Sequence, residues 1–291
     1  MTLEQLRVFV TVAETLNMRR AGELLHLTQP AVSAAVAALE ERHDARLFDR
    51  VGRGLALSEA GRTFLPEARA VLARVADAGR VLQDLAGLLR GELRLAASQT
   101  VATYWLPSRM ARFVEAHPGI DISLVAGNSA RAIAAVLTGE ADLGFVEGDV
   151  KEKLLHSQRV GGDQLGLYAA PCHPLAGRRV RYKHLRDAVW VLREAGSGTR
   201  NHLQAGLAGL GVQLAEINAK LVLPSNGAVL EAVAVGGLVA AVSDLAAESR
   251  VAAGRLVRLD CEMPKRNFWL VQHRERRPSR AVAAFMAALD K

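Results

Sequence analysis

The feature that most constrains this chain is a stripe of small and apolar residues in its second segment, from Ser58 to about Leu89. Leu65, Ala68, Leu72, Val75, Gly79, Leu82, Ala86 and Leu89 recur at alternating steps of three and four. That spacing holds one face of a single helix apolar along its whole length. Ser58 is a suitable N-cap, with Leu57 before it. A helix this long cannot cover its own stripe, so the pattern predicts a pairing (dimerisation) helix over 59–90. An ordinary helix packed on its own domain is the other reading. Pro66 falls in the first two turns and is expected to bend the axis there. Gly79 either weakens the seam or lets two helices approach closely.

The segment before that helix is compact and helical. Thr2 is a plausible N-cap for a helix with Leu3, Leu6, Phe9, Val10 and Ala13 on one face. Arg19 to Leu25 reads as a short second helix, with Ala21, Leu24 and Leu25 inward. After the brief connection His26-Leu27, Thr28 can cap a third helix. Pro30 sits early in it, where proline is tolerated. Ala31, Val32, Val36 and Leu39 supply its apolar positions. Helix, short helix, tight turn and helix is the layout of a helix-turn-helix. Arg46 to Leu57, with Gly52 and Gly54 inside an apolar alternation, predicts a small β-hairpin or wing.

From Gly91 onward the chain alternates between strand and helix, the pattern of parallel α/β architecture. Strands are expected at 93–97, 120–125 and 141–146, with helices at 106–116 and 130–138. After Gly161-Gly162-Asp163 the pattern repeats, with strands at 164–170, 189–192, 220–223 and 239–241 and helices at 199–209 and 228–235. A strand at 267–273 and a helix at 279–289 close the chain. The fold class is thus α/β with an all-α winged helix-turn-helix in front. The domains are 1–58 for the winged unit, 59–90 for the linker helix and 91–291 for a two-lobed unit. Its lobe I is 91–162 with 267–291, and its lobe II is 163–266. A cleft between lobes is the default ligand site.

Charge narrows the class less than its total promises. The 291 residues carry a formal +7, which fits an anionic partner. Residues 1–90 hold 12 Arg, no Lys and 11 acidic residues, so the remaining excess of six positive charges lies beyond them. Local pattern, not global charge, must therefore identify a nucleic-acid-binding end. The two cysteines, Cys172 and Cys261, lack metal-ligand spacing and are expected to be buried free thiols. No metal or cofactor is expected. The first residues lack the order of a secretory signal and no apolar run reaches membrane-spanning length, so a cytoplasmic protein without a membrane partner is expected.

Positions 24–50, LLHLTQPAVSAAVAALEERHDARLFDR, with the wing and LALSEAGRTFLP after it, resemble the LysR-type transcriptional regulators. The resemblance extends through LRLAAS, FVEAHPGIDISLVAGN, VLTGEADLGF and AVAVGGLVAAVSDLAA. It implies a periplasmic-binding-protein-like effector domain with two crossovers, and a homodimer or dimer of dimers held by the linker helix. It also implies sequence-specific transcriptional control by a small-molecule effector. The sequence departs from the family pattern at Met18-Arg19-Arg20, at Gly22, which should loosen the second helix, and at His43-Asp44, where the turn is expected to differ.

At the DNA end, double-stranded DNA with an inverted-repeat operator is the implied partner. By resemblance Gln29, Pro30 and Ser33 face base edges. Gln pairs bidentately with adenine, and Pro30 offers apolar contact to a thymine methyl. Thr28 is a cap or phosphate contact. Arg19 and Arg20 open the second helix, where phosphate contact competes with a plain solvated face. Arg50 and Arg53 flank the wing and can reach phosphate or a minor groove. For Arg50 an ion pair with Glu40 or Glu41 is the alternative.

At the ligand end, Ser98-Gln99-Thr100 follows the first strand, and Asn128-Ser129 opens a helix. Gly196-Ser197-Gly198-Thr199 opens another, and Asn226 is expected to cap a third. Helix N-termini converging from both lobes favour a small anion, either a carboxylate or an oxyanion such as sulfate or sulfite. Family members resembling EAGSGTR regulate sulfur and carbon assimilation, which favours a small inorganic anion. Glu147 opposes that reading unless Arg193, Arg200 or Arg131 neutralises it. It could instead bind an amine, or stay protonated on a ligand oxygen. His117 and His184 read as surface residues.

Catalysis finds no support. GSGT lacks the lysine and spacing of a phosphate-binding loop, and GxSxG and HExxH are missing from the sequence. An effector-independent DNA-binding protein and a solute-binding module without a regulatory role are the alternative functions.

Overall fold

A computed structural model describes residues 1–52, 54–85 and 91–289. They fall into two compact units. Arg53, Ala86 and Leu89, three positions singled out in the sequence, lie outside the described residues.

The first unit opens with α1 (Leu3–Thr15). Its start is closed by reciprocal bonds: Thr2 Oγ1 accepts the Gln5 N–H at 3.2 Å, and Gln5 Oε1 accepts the Thr2 N–H at 2.9 Å. Helix α2 (Met18–Leu25) is capped by Asn17, whose Oδ1 accepts the Arg20 N–H. Helix α3 (Gln29–His43) is capped by Thr28. Strands β1 (Phe48–Val51) and β2 (Gly54–Leu57) pair antiparallel as the wing, and α4 (Glu59–Leu85) continues through Pro66. Leu6, Val8, Phe9, Val12, Ala21, Val32, Val36 and Leu39 form the core with Leu47, Phe48 and Ala68.

Several local expectations need correction. Leu3, Leu24 and Ala31 are exposed, while Val8 and Val12 turn inward. Gly22 does not loosen α2. A Cβ there would fall 2.6 Å from the Leu27 carbonyl oxygen, so glycine lets the turn into α3 close. Asp44 stands in the left-handed region (φ 47°), so the turn after α3 keeps a shape that glycine favours. Cys172 is exposed rather than buried.

The second unit carries β3 (Gly91–Ser98), a π-helical turn at Val101–Trp105, α5 (Pro107–Ala116), β4 (Ile120–Gly127), α6 (Ser129–Thr138) and β5 (Leu143–Glu147). Next come β6 (Leu155–Ala169), α7 (Tyr182–Asp187), β7 (Val189–Arg193), α8 (Gly198–Gly209), β8 (Asn218–Leu223) and α9 (Asn226–Ala234). The chain ends with β9 (Leu238–Ser243), α10 (Asp244–Ala252), β10 (Val257–Arg258), β11 (Lys265–His273) and α11 (Arg280–Leu289). One mixed sheet runs β4-β3-β5-β11-β6-β9-β7-β8, and β10 pairs with β6. Parallel trios β4-β3-β5 and β8-β7-β9 lie at its two ends. Antiparallel β11 and β6 join them.

The Gly161-Gly162-Asp163 stretch does not break the chain as the sequence pattern predicts. It lies inside the 15-residue strand β6. A Cβ on Gly161 would meet Trp105 Nε1 at 2.9 Å, and one on Gly162 would meet the Arg266 carbonyl oxygen at 2.5 Å. These glycines serve close approach, not a turn. The sequence-based lobe divisions at 162/163 and 266/267 therefore fall within β6 and β11. One apolar cluster, around Leu95, Phe145, Phe268 and Phe285, fills the β3 end of the sheet. Two others, around Trp190 and Val229, fill the β7 end.

Candidate functional site

In the first unit, α2, α3 and the wing enclose a groove of about 970 Å³. Asn17, Gln29, Ser33, Glu40, Arg46 and Arg50 line it among others. Thr28, Gln29 and Pro30 are exposed at the start of α3, and Ser33 lies one turn on, half-buried. Gln29 Nε2 donates to Ser33 Oγ at 3.1 Å, so the two side chains form one polar patch. Arg19 and Arg20 both reach Glu23, at 3.3 and 3.1 Å. The Arg20 hydrogen bond holds the Glu23 carboxyl below its usual range, with Arg19 assisting. A phosphate contact there would compete with Glu23, a partner that the sequence alone does not reveal.

Arg50 is exposed. Among the described residues no ion pair joins it to Glu40 or Glu41. Glu40 is used otherwise: its Oε1 accepts the N–H groups of Leu47 at 2.6 Å and Phe48 at 3.1 Å, tying α3 to the root of the wing. Arg46, which no sequence signal singles out, is also exposed along the groove.

In the second unit, the residues singled out around the expected crevice do converge. Gln99 Oε1 accepts the Asn226 N–H at 3.0 Å, and Gln99 Nε2 donates to the Pro224 carbonyl at 3.0 Å. Asn226 Nδ2 donates to Thr100 Oγ1 at 3.1 Å. Asn128 Nδ2 donates to Glu194 Oε1 at 3.2 Å, and the Ala130 N–H bonds the Gly196 carbonyl at 3.2 Å. Gly196 takes a positive φ of 84° that a side chain would strain. Ser129 Oγ donates to Glu147 Oε2 at 3.2 Å. A Cβ on Gly198 would sit 2.5 Å from that same oxygen, so only glycine lets the start of α8 come this close. Ser197 is buried but caps nothing through its side chain.

Asn226 is not the cap expected of it. Ser225 caps α9 through the Ala228 N–H. Asn226 instead points its amide at Thr100 and at Arg193, whose Nη1 donates to Asn226 Oδ1 at 2.5 Å. The expected neutralisers of Glu147 are also corrected. Arg193 is held by Glu194 at 2.8 and 3.0 Å, and Arg200 Nη1 donates to the Arg193 carbonyl. Burial opposes ionisation of Glu194, but the Arg193 hydrogen bonds and charge, a backbone N–H and the Asn128 amide together outweigh it and keep its carboxyl below the usual range.

The cation nearest Glu147 is Arg266, on β11, with Nη1 3.6 Å from Glu147 Oε1. Its side chain is 0% exposed. It donates to both oxygens of Asp163, to Thr199 Oγ1 at 3.0 Å and to Thr100 Oγ1 at 3.3 Å. Burial works against its charge, and Glu147 and Asp163 more than offset that. Ser243 Oγ also donates to Asp163. No motif marks Arg266 in the sequence, where it stands between Lys265 and Asn267 ahead of the apolar run Phe268-Trp269-Leu270-Val271. Ser98 is buried at 1% exposure, and its hydroxyl has no hydrogen-bond partner.

Of the two histidines read as surface residues, His117 is half-buried, stacked on Phe113 with ring centroids 4.2 Å apart. His184 is half-buried too, its Nδ1 accepting the Arg181 N–H. Among the described residues, no helix is long and apolar enough to cross a membrane, and no group of His, Cys, Asp or Glu is placed to hold a metal.

A winged helix-turn-helix followed by a long helix and a two-lobed α/β unit defines a DNA-binding regulator with an effector-binding domain. Residues 3–62 match the family described as bacterial regulatory helix-turn-helix protein, lysR family, and residues 86–291 match the LysR substrate binding domain. The chain belongs to the LysR family of transcriptional regulators, which are not enzymes. It is 34% identical over 291 residues to the uncharacterized HTH-type transcriptional regulator YeiE of Escherichia coli (strain K12), covering 99% of this chain and 97% of that one. It is 36% identical over 287 residues to the RuBisCO operon transcriptional regulator of Allochromatium vinosum, covering 98% and 94%. Among solved structures it resembles the Synechocystis PCC6803 CcmR regulatory domain in complex with 2-PG. That match has a TM-score of 0.63 at 30% identity and covers 69% of this chain and 96% of that one.

Proposed function

We propose that this regulator reads an inverted-repeat operator as a dimer or dimer of dimers and is controlled by a small anion held between its lobes. The DNA contacts are Gln29, Pro30 and Ser33 to base edges, with Thr28, Arg19, Arg20, Arg50 and Arg53 to the backbone. The effector contacts are Ser98, Gln99, Thr100, Asn128, Ser129, Glu147, Gly196 to Thr199 and Asn226. The observation that carries the anion reading is the unpartnered hydroxyl of buried Ser98. It ends β3 just before Gln99 and Thr100, which bond Asn226 at the start of α9, and Thr100 also takes a hydrogen bond from buried Arg266. Buried hydroxyls normally find a partner, and helix N-termini with arginine favour a negatively charged one. The complex of the CcmR regulatory domain with 2-PG is compatible with this ligand class.

The test is a thermal-shift screen of the full chain against sulfate, sulfite, short carboxylates and 2-PG. A ligand that binds only the folded state raises Tm by mass action. A saturable shift that Ser98→Ala abolishes supports the site. A well-folded protein that responds to none of these anions rules the anion reading out.

A further inference from the structure

We propose a second small-molecule site on this chain, a cleft between α5 and α11 that takes an organic anion with an apolar body and holds its acid group on Arg109 and Arg112. The cleft shares no residue with the expected effector crevice and does not rest on how that crevice is read.

Helices α5 and α11 pack against each other at the β3 end of the sheet. Their contact is set by Phe113 and Phe285, both buried, edge to face with ring centroids 5.0 Å apart. Beside that contact α11 offers only small side chains, Ala284, Ala287 and Ala288. Alanines do not span the separation that the two phenylalanines impose, and a cleft of about 570 Å³ stays open between the helices. A space of that size is in the range of small-molecule pockets. Ala116 and Leu289 extend the apolar lining, and the His117 ring, stacked on Phe113, adds a flat wall.

Arg109 and Arg112 stand in the same lining, three residues apart on α5. Like charges at that spacing repel and cost helix stability. Among the described residues neither makes an ion pair, and no carboxylate lines the cleft. Arg109 Nη1 donates to the Trp105 carbonyl at 2.8 Å, and its guanidinium lies 3.9 Å over the Trp105 ring. Arg112 Nε donates to the Ser108 carbonyl at 3.3 Å. Each guanidinium therefore spends one of its five N–H groups, and the rest are open to a ligand. Burial, and then the Arg112 charge, hold the Arg109 pKa below its ordinary value. An acid group between the two relieves the repulsion and takes up the open donors, since a guanidinium fork matches a carboxylate. An inorganic anion would leave the apolar lining in water. A neutral apolar molecule would leave the arginines as they are. An acid group joined to an apolar body meets both features at once.

Isothermal titration calorimetry on the full chain tests this with 2-naphthoate as the probe. The controls are 2-naphthol, the same rings without the charge near neutral pH, and acetate, the charge without the rings. Naphthoate is expected to bind saturably, and each control about tenfold more weakly or worse, as the loss of a charge-assisted contact or of the apolar burial demands. Arg112→Gln should weaken naphthoate about tenfold and leave naphthol unchanged. Ala288→Leu puts a larger side chain into the cleft and should weaken both. Arg112 and Ala288 are exposed, so neither change disturbs the core, and if one variant fails to fold the other decides. No saturable naphthoate binding overturns the proposal. So does binding that the folded variants leave unchanged, because the probe then sits elsewhere on the chain. Equal affinity for naphthoate and naphthol overturns the role given to the arginines.

Discussion

Arg266 and Asp163 stand opposite each other on the antiparallel strands β11 and β6, and their side chains close a two-point ion pair whose arginine is wholly buried. Desolvating such a pair is expensive, and breaking one half is worse than removing both. Asp163→Asn should therefore lower stability by about 3–5 kcal/mol. Arg266→Met combined with Asp163→Leu should recover part of that loss. Urea unfolding of the full chain, followed by circular dichroism, measures both. Equal losses in the single and double variants would mean that the pair is not the source.

Glu40 ties the wing to α3 through two backbone N–H groups. Glu40→Ala leaves both without their acceptor, at about 1–3 kcal/mol for each N–H that water cannot reach. The wing should lose its set angle, so operator affinity should fall while effector affinity holds. Paired measurements, fluorescence anisotropy with DNA and calorimetry with effector, check the separation.

Leu16 ends α1 in the left-handed region at φ 49°, largely exposed. An L residue there is strained by about 1–2 kcal/mol, a cost glycine avoids. Part of that gain is lost to the freer unfolded chain, so Leu16→Gly should raise stability by about 0.5–1 kcal/mol. A melting curve that moves downward would contradict it.

Base reading and phosphate contact separate by salt. Gln29→Ala should cost about 1–3 kcal/mol on the best operator and relax selectivity at one position. Arg50→Ala should weaken all DNA alike and reduce the slope of log K against log salt by about 1. If Gln29→Ala behaves like Arg50→Ala across a set of operators, Gln29 is not a base reader.

His202 is half-buried beside Gly148, with Arg266, Glu147 and Asp163 acting on it electrostatically and its Nδ1 against the Gly198 carbonyl. Burial pushes its pKa below the ordinary value. The unfolded chain then takes up the proton first as pH falls below about 6.5. The stability tied to neutral His202 is complete above that value and is lost as pH drops toward the lowered folded-state value. His202→Gln should flatten this stretch of the stability-against-pH curve.

The helix-turn-helix is legible in the sequence because periodicity, caps and a turn all act within a few residues. Thr2, Thr28 and Ser58 can be named as caps from type and position alone. Long-range events are not legible. Asn226 looks like a cap, yet Ser225, one position earlier, does that work and frees Asn226 for Arg193 and Thr100. Gly161-Gly162 looks like a break, because local propensity cannot register that Trp105 and the Arg266 backbone press against those positions. Arg266 escapes notice for the same reason: its partners lie 67 to 166 residues away in sequence. Helix starts therefore outline the crevice in the sequence, but not the charge at its centre.

Strands β6 and β11 carry the sheet from one parallel trio to the other as a single hydrogen-bonded ribbon. A ribbon of two strands resists stretching and sliding, because either would break its ladder, but it yields to torsion. Tightening the crevice at one edge must then turn one trio against the other about the ribbon axis. Effector occupancy would leave this unit as an angle rather than a distance, and whatever is fastened to the two trios would be reoriented, not pulled.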